Sequence, residues 1–164
     1  MRCKLCSRSA MDLCSRCAKR WMFNPEFGIY CLRPRAKAKF RSQRRLAEFC
    51  KEISPEVVLQ EVAFPGLKSD KDKLLRFDIA VPGLKILIEY HGCDGFVPFV
   101  HHRKSAWLRT KQHDKMKRKF AKDIGWKLIH CSRKDLTPAR LETKLKCLRR
   151  IRRHRSANPY VETR

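Results

Sequence analysis

Asp78 and Glu89 are the residues of this chain best placed to do chemistry. Each is an acid inside apolar, strand-like sequence: Phe77, Ile79 and Val81 surround Asp78, and Ile86, Leu87 and Ile88 precede Glu89. Burying an unpaired carboxylate is strongly unfavourable. Two acids brought together also repel, and a divalent cation is the simplest way to keep both ionised. Pro82 and Gly83 separate the two runs and predict an antiparallel hairpin that would bring the acids near one another. The alternative makes Asp78 a partner of Arg76 and Glu89 a surface acid at a strand end.

The pair is set in a strongly basic chain. Of 164 residues, 40 are Lys or Arg and 16 are Asp or Glu, a formal net charge of +24. Such an excess repels itself unless counter-ions or an anionic partner neutralise it. Nucleic acid, whose phosphates release condensed counter-ions on binding, is the expected partner. No apolar run of membrane-spanning length occurs, so no membrane contact is expected. The N-terminus lacks the apolar stretch of a signal peptide. The expected location is the cytoplasm of a cell or a virus-infected cell, in association with the nucleoid.

Nine cysteines in a reducing compartment point to metal ligation rather than disulfides. Cys3, Cys6, Cys14 and Cys17 form two Cys-x2-Cys knuckles, which can supply four thiolates to a tetrahedral Zn²⁺. Twenty residues cannot build a core of their own, so the metal would provide the folding energy of a closed, structural site. Arg2, Lys4, Arg8, Arg16, Lys19 and Arg20 surround it and suit phosphate contact. Cys31, Cys50, Cys93, Cys131 and Cys147 read as core or incidental residues, and a second zinc site using Cys93 and Cys131 is the weaker alternative.

The elements that must position the acids follow from periodicity and punctuation. Residues 21–34 read as a Pro- and Gly-punctuated linker, and residues 42–53 as a helix with Leu46, Phe49, Cys50 and Ile53 at helical spacing. Strands are expected at 57–64, stopped by Pro65 and Gly66, then at 74–81 and 84–90. An irregular loop at 92–106 precedes a helix at 110–124 that Gly125 stops. A short strand at 126–130, a capping signal from Ser132 to Asp135 and a basic helix at 138–154 complete the order α-β-β-β-α-β-α. This is an α/β chain with a mixed sheet flanked by helices. Its expected division is a zinc module and linker at 1–34, the main domain at 35–155 and a tail at 156–164.

An acid in a strand, a turn, then an apolar strand ending Ile88-Glu89-x-x-Gly92 resembles the core of the PD-(D/E)XK nuclease superfamily. The likeness is to its small members: very-short-patch-repair-like endonucleases, homing endonucleases and phage junction resolvases. It covers roughly residues 42–135 and extends through His102, Asp114 and Lys117 to the run Ile124-Gly125-Trp126-Lys127-Leu128. The resemblance implies a restriction-endonuclease-like fold in which Asp78, Glu89 and the carbonyl of Tyr90 bind Mg²⁺ or Mn²⁺. His91 falls at the family's lysine position, so the usual E-x-K reads Glu89-Tyr90-His91. His91 could orient or deprotonate the attacking water, act as a cation, or ligate metal. Many relatives place a further acid on the preceding helix, where this chain has Glu48. Gln60 and Glu61 stand on the first core strand, and one of them could face the site.

His101, His102, Arg103 and Lys104 form a His- and cation-rich loop suited to phosphate, and Lys117 lies on the following helix. Arg149, Arg150, Arg152 and Arg153 give the last helix a phosphate-tracking character. Together these features predict a Mg²⁺-dependent DNA endonuclease that hydrolyses phosphodiester bonds. Its mode would be site-specific homing or mismatch-type nicking, or junction cleavage by a homodimer. The competing expectation is a zinc-containing nucleic-acid-binding protein without catalysis.

Overall fold

A computed structural model describes residue 5, residues 13–34, 36, 38, 40–91 and 104–146, with the side chains of 104–106 excepted. Six strands form one mixed sheet in sequence order: β1 (Trp21–Asn24), β2 (Ile29–Leu32), β3 (Leu59–Lys68), β4 (Leu74–Val81), β5 (Ile86–His91) and β6 (Lys127–Ser132). The first four junctions are antiparallel and β5 pairs β6 in parallel. The parallel step needs a crossover, and α3 (Lys104–Asp123) supplies its helix. Short α1 (Ser15–Ala18) precedes the sheet, α2 (Arg41–Ile53) enters before β3, and α4 (Pro138–Lys144) follows β6.

Two apolar cores define the faces. In one, Leu46, Ala47, Cys50 and Ile53 of α2 and Leu141 of α4 pack on Ile79, Val81, Ile86, Ile88, Ile129 and Cys131. In the other, Met116, Phe120 and Ala121 of α3 meet Val62, Phe64, Phe77, Ala80 and Leu87. Truncating a fully buried side chain such as Phe77 or Leu46 to alanine costs about 2–5 kcal/mol in such cores. The chain is therefore an α/β protein whose six-stranded mixed sheet is flanked by helices on both faces. No helix among the described residues is long and apolar enough to cross a membrane.

Several sequence signals act as expected. Gly125, at φ 70°, ends α3: Trp126 N–H reaches the Ala121 carbonyl at 2.8 Å and Gly125 N–H the Lys122 carbonyl at 3.0 Å. Ser132 and Asp135 form a capping box, with Asp135 Oδ2 accepting from Ser132 N–H at 2.7 Å. Pro82 and Gly83 turn β4 into β5 through one 3-10 turn, closed by Lys85 in the left-handed region at φ 52°.

Other expectations are corrected. Residues 21–34 are not a linker, since β1 and β2 lie there and extend the sheet. Pro65 and Gly66 do not stop β3; they are exposed where the β3–β4 register shifts, so proline's missing donor removes no regular ladder bond. Helix α3 starts six residues early, at Lys104 rather than 110, and α4 ends at Lys144 with Leu145 as its C-cap, while residues 147–154 lie outside the described residues.

Candidate functional site

Asp78 and Glu89 lie where regular pairing between β4 and β5 stops. The ladder runs from Val81↔Ile86 to Ile79↔Ile88, and one step further would set Asp78 opposite Glu89. Instead of continuing, Tyr90 N–H donates to Asp78 Oδ2 at 2.7 Å. Strand alternation slips at the same point. Leu75 and Phe77 share the α3-side core with Ala80, whereas Ile79 and Val81 face α2. Asp78 therefore occupies a gap in the sheet that helices from both faces can reach.

Each acid is held by a different helix. Gln43 of α2 donates Nε2–H to Asp78 Oδ1 at 2.6 Å. Lys117 of α3 donates from Nζ to Glu89 Oε1 at 2.7 Å. Gln43 belongs to the inward face of α2, three and four residues before buried Leu46 and Ala47. Lys117 follows buried-side Met116 and stands three residues after Asp114, so one turn of α3 brings both to the sheet.

Burial dominates the electrostatics. Glu89 is 7 % exposed, and burial raises its pKa from 4.5 to about 7, against the lowering effect of Lys117 and with further raising by Asp78 and Asp114. Burial also raises Asp78, with the Tyr90 amide and Lys117 opposing and Glu61 assisting. One lysine thus fails to compensate the two carboxylates in full.

Glu61 answers the ambiguity on β3. It is 8 % exposed and accepts from Arg76 Nη1 at 3.1 Å, between the registers Gln60↔Ile79 and Val62↔Phe77 that bracket Asp78. Its φ of 47° puts a non-glycine residue in the left-handed region, a strained conformation of the kind that clusters at functional sites. Arg76 therefore pairs with Glu61 rather than with Asp78.

His91 does not take the family lysine's place beside Glu89. Its Nε2 lies 2.8 Å from Nδ1 of His130 on β6, the two rings stacked with centroids 5.0 Å apart. One ring must donate and the other accept, which fixes complementary tautomers in the two. Burial, then the neighbouring His91, lower the pKa of His130. The amine that meets Glu89 comes from Lys117 instead.

Glu48 is corrected as well. It is exposed, five residues beyond Gln43 and so about 140° round the helix from it. Its side chain is solvated, and Gln43 is the α2 residue at the acids. Lys104 begins α3, its side chain outside the described set; His101, His102, Arg103, Arg149, Arg150, Arg152 and Arg153 lie outside the described residues, as do Cys3 and Cys6. Cys14 and Cys17 are buried against Leu5, Leu13 and Trp21. Cys31, Cys50 and Cys131 are core residues, and burial pushes the Cys131 thiol up to about 11.

Asp78 and Lys117 line a cavity of about 610 Å³ between α2, α3 and the sheet, while Glu89 meets it through Lys117. Among the described residues no group of three or more His, Cys, Asp and Glu side chains forms a metal cage. Two acids still fit Mg²⁺, which is typically held by one or two carboxylates, with waters and substrate phosphate completing the shell. The incompletely compensated charge on Asp78 and Glu89 is what such a cation would neutralise. No protein-family model, curated protein or solved structure matches the chain.

Proposed function

We propose that the chain is a metal-dependent DNA endonuclease of PD-(D/E)XK type, with Asp78 and Glu89 as its metal-binding acids. One observation carries the reading: buried Glu89 and half-buried Asp78 stand at a break in the sheet, where Asp78 lines the cavity and Glu89 reaches it through Lys117. A bound Mg²⁺ would lower the barrier by polarising the phosphodiester and activating water. Within this reading Lys117 holds Glu89 and offers positive charge at the cavity wall. Gln43 and the Tyr90 amide fix the orientation of Asp78. The His91–His130 pair, hydrogen-bonded through Nε2 and Nδ1, adjoins Glu89 and Tyr90 at the end of β5.

DNA is the proposed substrate because a net charge of +24 favours polyanions and phosphate contacts from Lys and Arg dominate such affinity. The exposed face of α3 contributes Arg109, Lys111, Lys115 and Lys119. The four N-terminal cysteines would hold a structural zinc, and the restriction-endonuclease-like architecture belongs to the same proposal. Junction cleavage would require a homodimer.

The second reading, a nucleic-acid-binding protein without catalysis, draws on the Lys117–Glu89 contact, because structural ion pairs also perturb pKa values. Cleavage separates the two. Supercoiled, mismatched and branched DNA are incubated with Mg²⁺ and wild-type, D78A or E89A protein. Cutting by the wild type and by neither folded variant supports the nuclease. Binding with no cutting by any of the three supports the second reading.

A further inference from the structure

Lys117 of α3 meets Glu89 of β5, and a cavity opens on either side of that strand. The one at Asp78 is walled by β4; the other, of about 530 Å³, lies at β6, the edge of the sheet. Trp126, Leu128 and His130 of the β6 segment line it, with Arg118, Ala121 and Lys122 of α3. Lys117 and Arg118 are consecutive, so α3 sends one cation to the acids and the next into the second cavity. Register ties His130 to the acids: it is the Cα partner of Glu89 in the parallel pairing, with strands about 4.8 Å apart. Nδ1 of His130 is taken up by His91 Nε2 at 2.8 Å, so its own Nε2 is the ring nitrogen left for a ligand. That nitrogen carries the hydrogen whenever His91 is the donor. Among the described residues no acid lines this cavity. Its polar groups are two cations and an imidazole, beside apolar Ala121, Trp126 and Leu128. A cleft lined by one sign of charge over apolar walls focuses its field and concentrates anions. His130 senses that field, its pKa lowered by burial, then by His91 and Arg118, against Asp114.

We propose that this β6-edge cavity is a phosphate site, and that it holds a DNA phosphate about one or two nucleotides from the bond cut at Asp78 and Glu89. This deepens the nuclease reading and rests on it for the position of the cut. Phosphates follow one another at about 3.4 Å of rise along a DNA strand, and His130 stands one strand spacing from Glu89. A backbone whose scissile phosphate meets the acids therefore brings a near neighbour to Arg118 and Lys122. The Arg118 guanidinium suits a bidentate grip on phosphate oxygens, and Lys122 adds a point charge. Such a contact reads no base; it fixes the register of the backbone and so holds the scissile phosphate over the acids.

The test begins with duplex binding by the full chain in EDTA, where no cleavage occurs, across a NaCl series. R118Q/K122Q is compared with the wild type and with R45Q/K51Q, which removes the same charge from α2. All four side chains are exposed, so both variants retain the fold. In R118Q/K122Q the slope of log affinity against log salt should become shallower by about 0.9, the value of one phosphate contact; in R45Q/K51Q it should keep the wild-type value. An equal change in both variants, or no change in either, overturns the pocket. The NMR signal of the His130 ring identifies the source of the phosphate. It should shift when duplex is added, and R118Q/K122Q should lose that shift. A shift with inorganic phosphate and none with duplex, at fixed pH and ionic strength, assigns the cavity to a small phosphate ligand and overturns the DNA contact. With Mg²⁺ and the cut mapped, a neutral methylphosphonate one or two nucleotides away should slow the wild type on the order of 10-fold, the effect of one charge-assisted hydrogen bond, and leave R118Q/K122Q indifferent. Wild-type cutting that ignores the substitution overturns the placement and leaves the nuclease standing. A shallower salt slope in R118Q/K122Q alone, with no cutting by any protein, overturns the nuclease reading and leaves the phosphate pocket standing.

Discussion

Lys117 Nζ lies 2.7 Å from Glu89 Oε1, with side chains only 15 % and 9 % exposed. The contact joins the middle of α3 to the end of β5 across the α3-side core, and it places the site's cation on a helix instead of two residues after the acid. Removing one partner of a buried pair strands the other charge, at a cost of about 3–5 kcal/mol. K117M is therefore expected to melt well below the wild type in metal-free buffer at neutral pH. Adding Mg²⁺ should raise its melting temperature by more than that of the wild type, since the cation replaces the missing charge. Equal shifts in the two proteins would separate Lys117 from the metal site.

The raised acids predict how stability depends on pH without metal. Below about 4.5 Glu89 is protonated in both folded and unfolded chains and contributes nothing. Between 4.5 and about 7 the unfolded chain loses a proton that the folded chain keeps, so stability falls as pH rises. Above 7 the penalty is constant, on the order of 3 kcal/mol. Asp78 shifts in the same direction. E89Q should flatten this limb in thermal melts, and a slope as steep as the wild type's would show that Glu89 does not titrate there.

Asp135 has the opposite sign. Burial alone would raise it, but the Lys144 ammonium and the Ser132 amide and hydroxyl outweigh burial and hold it below the usual carboxylate range. Its contribution is present above the ordinary Asp value and lost as the solution is acidified below it. D135N should cost stability at neutral pH and little at strongly acidic pH. An equal loss at both would mean that the capping geometry, and not the charge, matters.

The proposed zinc site predicts a signal at Trp21, which packs against Cys14 and Cys17. Protein purified without chelators should contain one zinc per chain. Chelation should release it and change the tryptophan emission, and C14S and C17S should lack it. Stoichiometric zinc missing from the wild type contradicts the four-thiolate site.

The acid pair was legible because its two runs are apolar around a single acid each, with Pro82 and Gly83 as a clear hinge. The cap at Ser132 and the stop at Gly125 were legible for the same reason, being set by short-range backbone chemistry. The partners of the acids were not. Gln43 and Lys117 are 35 and 28 residues from the acids they bond, and both contacts depend on how α2 and α3 pack. Spacing from Leu46 could have placed Gln43 on the inward face; the resemblance singled out Lys117 for phosphate contact, but no local signal points its amine at Glu89. β1 and β2 are four residues each and interrupted by Pro25 and Gly28, too short to show a period. The left-handed Glu61 breaks the alternation on which a choice between Gln60 and Glu61 would have rested.

Cleavage under single-turnover conditions tests the central claim most directly. Wild type, D78N, E89Q and E48Q are compared on mismatched and supercoiled DNA with and without Mg²⁺. The account predicts Mg²⁺-dependent cutting by the wild type and by E48Q, whose exposed side chain lies away from the acids, and a loss of at least about 100-fold in D78N and E89Q. Cutting by folded D78N and E89Q at the wild-type rate, or no cutting by the wild type on any substrate, would contradict it.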